Sequence, residues 1–229
     1  MERGLYIAAS GMLAEQVRQN QIANDLANAS TPGYKADRSS QQAFADLLLQ
    51  NSATGQTIGP LGLGVTIAQT TTDLTGAPVR DTGEPLDFAI EGDGFFQVRT
   101  AQGNRFTRDG QFMRAANGTL TDALGNPVLN QRGGTIQVQA DGTVAAGSIG
   151  VFNVTNPQKQ GDSLFSGSAN GTATGQVRSG ALEGSGTDPA RSMVDMITSY
   201  RAYEAGQKVI RTIDETLNKA VTQVPSISG

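Results

Sequence analysis

The chain contains no histidine, no cysteine and no tryptophan among its 229 residues. Without imidazole or thiol it has no conventional zinc site, no cysteine nucleophile and no Ser-His-Asp triad. The lack of cysteine also rules out a disulfide framework, so cysteine usage does not assign a compartment. Aromatic residues are scarce at 5%, hydrophobic residues reach 37%, and no run approaches the roughly 18 apolar residues that span a bilayer. Basic excess is missing too: the net charge is −4 and the isoelectric point about 4.8, which argues against nucleic acid and anionic membrane as partners. The first sixteen residues lack a basic patch followed by an apolar core and carry Glu2 and Glu15. That predicts no cleavable secretory signal and, by default, a cytoplasmic protein.

What the chain has in quantity is glycine, 29 residues of it, which suits an extended, turn-rich protein. Both ends read as helices. Over residues 4–28 a thin stripe of Leu5, Ala9, Met12, Ala23 and Leu26 recurs at heptad spacing, with Gln16 and Gln19 filling the gaps. Small residues around it leave a surface that another helix can approach closely. Asn28 and the run Ser30-Thr31-Pro32-Gly33 predict the stop, because Pro32 turns Thr31 away from helical backbone. From periodicity alone, an ordinary surface helix with a clean stop reads equally well.

The C-terminal helix is clearer. Asp188-Pro189 supplies an N-cap and a proline at the first helical position, and the pattern runs to about Val221. Met193, Met196, Tyr200, Tyr203, Ile210 and Leu217 form its apolar stripe, and Glu204–Lys208 and Glu215–Lys219 are favourable i,i+4 pairs. A stripe this narrow does not hold a lone helix, so the two terminal helices are expected to pair as a coiled coil.

Between them the chain reads as antiparallel β. Residues 86–90 alternate, turn at Gly92-Asp93-Gly94 and resume at Phe95-Phe96-Gln97-Val98. Further short strands are expected near 105–107, 111–113, 119–121, 128–129, 135–139 and 149–154, joined by tight turns such as Asp109-Gly110, Asn117-Gly118 and Asp141-Gly142. Residues 161–186 read as a glycine-rich, loop-like return. The fold class is therefore α+β, with helical segments 1–35 and 187–229 and a β-rich domain over 65–186. Between the first helix and that domain lies a linker, 36–64, where Phe44, Leu47 and Leu48 suggest a short helix over 40–50 and residues 51–64 a flexible connector.

Motifs that hint at chemistry have plainer explanations. The Asp-Gly steps lack the regular period of a calcium-binding repeat and read as turns. Glu91 and Asp93, flanking a turn, are expected to be solvated carboxylates and not an acid/base pair. Gly92–Gln97 lacks the Lys-Ser/Thr and the following helix of a phosphate loop. Asn117-Gly-Thr119 and Asn170-Gly-Thr172 match glycosylation sequons, short patterns that also arise by chance. Tyr200 and Tyr203 lie in register with the stripe and read as packing residues. No catalytic, cofactor-binding or metal-binding residue is expected.

Three blocks resemble the flagellar rod and hook family of bacterial axial proteins: "GLYIAASGMLAEQVRQNQIANDLANASTPGYK", the β segments "LDFAIEGDGFFQV", "RFTRDGQF" and "NGTLTDALGNPVL", and "GALEGSGTDPARSMVDMITSYRAYEAGQKVIRTIDETLNKAV". Signature positions within them are Asn24, Leu26, Ala27, Asn28, Thr31, Pro32, Gly33, Tyr34, Gly92, Gly94, Phe95 and Phe96. The short length and the run "GEPLDFAIEGDGFFQVRTAQGNRFTRDG" are most similar to proximal rod members, with distal rod members, usually somewhat longer, next. The resemblance implies a structural subunit that stacks helically into the flagellar drive shaft, terminal helices forming an inner coiled-coil tube. Leu5, Met12, Leu26, Met193, Met196, Tyr200, Tyr203, Ile210 and Leu217 would then be interface positions. It implies copies of itself and other rod and hook proteins as partners, passage through the flagellar type III export apparatus, and a basal-body location that replaces the cytoplasmic default. It implies no nucleic acid, membrane insertion, small-molecule substrate or cofactor. A folded extracellular β-rich binding module with coiled-coil ends is the alternative. A hydrolase using paired carboxylates would need an apolar cleft that this aromatic-poor middle does not offer.

Overall fold

The computed structural model describes residues 2–43, 47–50, 57–61 and 64–223. The elements in order are α1 (Glu2–Ala27), β1 (Asp37–Ala43), β2 (Leu47–Gln50), β3 (Thr57–Leu61), β4 (Val65–Thr72), β5 (Val79–Asp81), β6 (Phe88–Glu91) and β7 (Phe95–Thr100). There follow β8 (Gly103–Thr107), β9 (Met113–Arg114), β10 (Leu120–Thr121), β11 (Val151–Gly161), β12 (Leu164–Thr172), β13 (Gln176–Ser179), β14 (Ala181–Glu183) and α2 (Pro189–Gln223). They divide into two compact units, each discontinuous in sequence. One holds Met1–Leu26, Asp37–Thr71 and Pro189–Gly229, and the other Ala27–Ala36 and Thr72–Asp188. Terminal helices with an antiparallel β-rich middle make the chain α+β.

In the helical unit, α2 begins at Pro189, immediately after Asp188, as a proline at the first helical position requires. Where apolar spacing suggests a short helix over 40–50, the backbone is instead strand in β1 and β2. The run Ser39-Ser40-Gln41-Gln42 offers no apolar helical face, whereas pairing of β1 with β4, rich in threonine, valine and isoleucine, satisfies its backbone groups. The connector expected over 51–64 contains β3, which pairs antiparallel with β2 from Leu47↔Leu61 to Gln50↔Thr57. Phe44, also part of that expectation, lies outside the described residues.

The β unit is built around a closed four-stranded barrel, β11-β12-β8-β7. The alternation read in β7 sorts its side chains. Phe96 and Val98 enter one cluster with Phe88, Ile90, Phe112 and Leu120, while Phe95 enters a second with Phe106, Val154 and Phe165. Gly110 does not take the left-handed conformation expected of a hairpin glycine. It is needed because a Cβ there would stand 1.6 Å from the Phe88 carbonyl oxygen, against which the chain packs with a Phe88 N–H to Gly110 O bond of 3.0 Å. Residues 161–186, expected as a loop, contain β12, β13 and β14. The β11–β12 ladder shifts register at Phe152/Val154, Thr155/Gln158 and Lys159/Gly161, and such bulges erase the period-two signature.

The residues after α1 are bound into this β unit. Gly33, at φ +65°, lies where a Cβ would meet the Arg108 main chain at 2.3 Å, so only glycine fits. Its N–H donates to Glu183 O at 3.0 Å, the Gly186 N–H donates to Tyr34 O at 2.8 Å, and the Ser185 hydroxyl donates to Asn28 O at 2.9 Å. Below this seam lies a buried ion cluster. The Glu183 carboxylate accepts from Lys35 Nζ at 2.6 Å, from the Ala77 N–H at 2.9 Å and from Arg108 Nη1 at 3.1 Å. Lys35 Nζ also donates to Thr75 O at 2.7 Å, and Arg108 Nη2 to Gly92 O at 2.8 Å. Side-chain exposures are 0% for Lys35, 1% for Glu183 and 4% for Arg108.

Two predictions concern this unit. Glu183→Ala leaves two cations buried without their carboxylate and should cost about 3–5 kcal/mol in denaturant titration. Arg178→Ala removes a cation paired with Asp81 and Glu91 in solvent and should cost under about 1 kcal/mol. Equal losses would remove the buried cluster's special role. Second, burial holds the Asp109 carboxyl above the ordinary carboxylate range; the Gln111 N–H opposes this, and the Asp122 and Asp87 charges add to it. A raised folded-state pKa contributes stability below the unfolded pKa and loses it as pH rises through the folded one. Asp109→Asn keeps the acceptor for the Gln111 N–H. It should therefore raise the melting temperature at neutral pH, with the gain shrinking as pH falls into the normal aspartate range.

Candidate assembly surface

On α2 buried and half-buried positions recur at Ser192, Met196, Ser199, Tyr203, Gly206, Ile210, Ile213 and Leu217, in alternating steps of four and three, with Asp195 and Gln207 half-buried beside them. This face meets α1. The Ser199 hydroxyl, with no exposed surface, donates to Glu15 Oε2 at 2.6 Å. At Gly206 a Cβ would stand 2.7 Å from Met12 Cγ, and a Cβ on Gly4 would touch Ile213 Cδ1 at 3.4 Å. Contact positions rise along α1 while they fall along α2, so the helices run antiparallel. Small residues on both sides permit that approach.

Of the interface positions expected from the sequence, Met196, Tyr203, Ile210 and Leu217 lie half-buried on the α1-facing side of α2, and Leu5, Met12 and Leu26 are half-buried on α1. Met193 and Tyr200 lie elsewhere, at 53% and 56% exposure, with Val194 and Ile197 beside them at 62% and 54%. On α1, Tyr6, Leu13 and Val17 are likewise open at 60%, 63% and 47%. Hydropathy does not mark Ser199, Gly206 or Glu15, although they make the close contacts. The signal available was the run of small residues at the alternate heptad position.

Of the signature positions, Gly33, Tyr34, Gly94, Phe95 and Phe96 are buried. Leu26, Asn28, Thr31 and Pro32 are half-buried, while Asn24, Ala27 and Gly92 are exposed. Within the helical unit, Arg18, Gln21, Asp25, Asp37, Arg38 and Asp195 line a polar notch of about 280 Å³. Its groups answer one another: the Gln21 amide donates to Asp37 O, and the Asp37 N–H donates to Asp25 Oδ1 at 3.4 Å. Among the described residues no group of histidine, cysteine or carboxylate side chains is arranged to hold a metal ion, and no helix is long and apolar enough to cross a membrane. Glu91 is exposed and paired with Arg178 at 3.2 Å.

Comparison with known proteins agrees with this layout block by block. Residues 5–35 match the family described as flagella basal body rod protein, residues 89–150 the flagellar hook protein FlgE/F/G D1 domain, and residues 178–223 the flagellar basal body rod FlgEFG protein C-terminal. The flagellar basal-body rod protein FlgG of Bacillus subtilis is 34% identical across 96% of this chain and 98% of its own. The flagellar hook-basal body complex protein FlhO of the same organism is 30% identical across 99% and 100%. The flagellar basal-body rod protein FlgF of Caulobacter vibrioides is 29% identical across the whole of both chains. With a helical block at each end, the β block between them and relatives aligned over nearly their full length, this chain belongs to the family of flagellar basal-body rod and hook proteins.

Proposed function

We propose that the chain polymerises helically through its terminal helices, paired as a coiled coil, into the proximal part of the flagellar rod. There it transmits motor torque as one layer of the drive shaft. The chain is a structural subunit of the basal body and not an enzyme. One observation carries the mode of assembly: each helix has an apolar row left open after the α1–α2 contact is made. On α2 the row is Met193, Ile197 and Tyr200, at i, i+4 and i+7; on α1 it is Tyr6, Leu13 and Val17, at i, i+7 and i+11.

Rows at these spacings suit the helices of neighbouring copies. A head-to-tail contact between two different rows does not close on itself and so propagates as a filament. In this arrangement α1 and α2 form the inner tube, with other rod and hook proteins above and below. Delivery through the flagellar type III export apparatus accords with the marginal stability of the isolated helices. The length of 229 residues and the run over residues 83–110 favour a proximal position. A distal rod position is the second reading, and gold labelling of this subunit in purified basal bodies distinguishes the two.

Ile197→Asp or Tyr200→Asp should leave the monomer's unfolding free energy within about 0.5 kcal/mol of the parent, because both sites are solvent-exposed. The same changes should abolish filament formation in electron micrographs and motility in swarm plates. Ile210→Asp should instead destabilise the helical unit by several kcal/mol, roughly the cost of burying an unpaired carboxylate. Normal rods from the Ile197→Asp strain would remove the outer row of α2 from the interface.

A further inference from the structure

Asn117-Gly118 and Asn170-Gly171 share the same local sequence, Asn-Gly-Thr, and both asparagines are exposed. Both glycines are left-handed, at φ +81° and +78°. Asparagine before glycine undergoes a known spontaneous reaction. The glycine main-chain nitrogen attacks the asparagine Cγ, a C–N bond forms and ammonia leaves. Water then opens the cyclic imide to aspartate or to isoaspartate. The glycine nitrogen must be free to approach and the side-chain carbonyl free to turn.

The structure withholds both freedoms at Asn117. The Gly118 N–H is donated to Ala115 O at 2.9 Å. Asn117 Oδ1 accepts from the Thr119 N–H at 3.1 Å and from the Thr119 hydroxyl at 2.6 Å, and Thr119 is itself buried. Imide formation there has to break these bonds in turn.

Asn170 is held differently. Pairing of β11 with β12 passes from Val154↔Ala169 to Phe152↔Thr172, so Asn170 and Gly171 together oppose the single residue Asn153. This is a β-bulge, where the ladder is locally broken. Among the described residues the Asn170 side chain has no hydrogen-bond partner, and a Cβ on Gly171 would meet nothing within 4 Å. We infer that Asn170 is a site of spontaneous deamidation and isoaspartate formation in the folded subunit, and that Asn117, with the identical tripeptide, is protected by its turn. The product places a new carboxylate on the barrel's long hairpin and, as isoaspartate, adds one methylene to the main chain at the bulge.

Trypsin separates the two sites, into residues 115–132 and 160–178, because Arg114, Arg132, Lys159 and Arg178 bound them. The full-length folded protein is aged at mildly alkaline pH, digested, and read by fragmentation mass spectrometry for conversion of each amide to acid. Breaking one to two hydrogen bonds of ordinary strength at Asn117 makes Asn170 react about tenfold faster in the folded chain. In concentrated urea the two should convert at comparable rates, since the tripeptide is the same. Faster conversion at Asn170 when folded, with the gap closed in urea, supports the inference. Equal rates when folded, faster loss at Asn117, or an Asn170 that stays intact when folded but converts in urea would overturn it. The proposed assembly mode can fail in every test above without altering this result.

Discussion

A carboxylate removed from water has to be matched by cations or N–H groups at hydrogen-bond distance, and in this chain Glu183 is matched from three separate stretches of sequence. Lys35 comes from the segment after α1, Arg108 from the end of β8, and the Ala77 N–H from the lead into β5. None of the three charged side chains has more than 4% exposure, so each is stable only while the others are present. Glu183 ends β14, six residues before α2 begins at Pro189, and Lys35 lies in the segment that follows α1. The cluster therefore makes the β unit responsible for holding the chain at the points where both helices leave it. Gly33 belongs to the same device, since any side chain there would displace Arg108.

The helical unit rests on weaker terms. Its internal contact combines small residues and one buried hydroxyl, which allow close approach, with apolar residues that are only half-buried. Tyr6, Leu13, Met193, Ile197 and Tyr200 remain in water in the single chain, so in the proposed assembly much of the hydrophobic stabilisation available to these helices would come from neighbours. A firm β unit with terminal helices completed from outside is the division of labour expected of a polymer subunit.

Much of this was legible in sequence because it depends on local rules. Pro32-Gly33 ended α1 and Asp188-Pro189 opened α2 through the backbone limits of proline and glycine. The pattern through Phe88–Ile90 and Phe95–Val98 placed β6 and the barrel strand β7, whose side chains fill the β unit's core. Features set by long-range partners were not legible. Little in the sequence marks Lys35, Arg108 and Glu183 as buried, because charged residues almost always lie at the surface. The one hint at Glu183 is its place in a strand of small and apolar residues, Gly180-Ala181-Leu182. β12 was hidden by bulges and a polar composition, and β1 by the apolar spacing of the residues that follow it. The α1–α2 face was half visible: its apolar members stood out, while Ser199 and Gly206 carry the contact through their small size.

The order in which the chain is laid down gives the discontinuous helical unit a further property. α1 precedes α2 in the chain with nearly the whole β unit between them, and α1's contact partners Ser199, Gly206 and Ile213 all lie on α2. Any process that delivers the polypeptide from its N-terminus releases α1 long before anything exists for it to pack on. A chain whose α2 has not yet emerged consequently has only one side of the α1–α2 contact, and in the proposed assembly it would offer a neighbouring copy the α1 row alone. Separating the two helices in sequence by the β unit makes synthesis of both a precondition for the α1–α2 contact, without a separate inspection step.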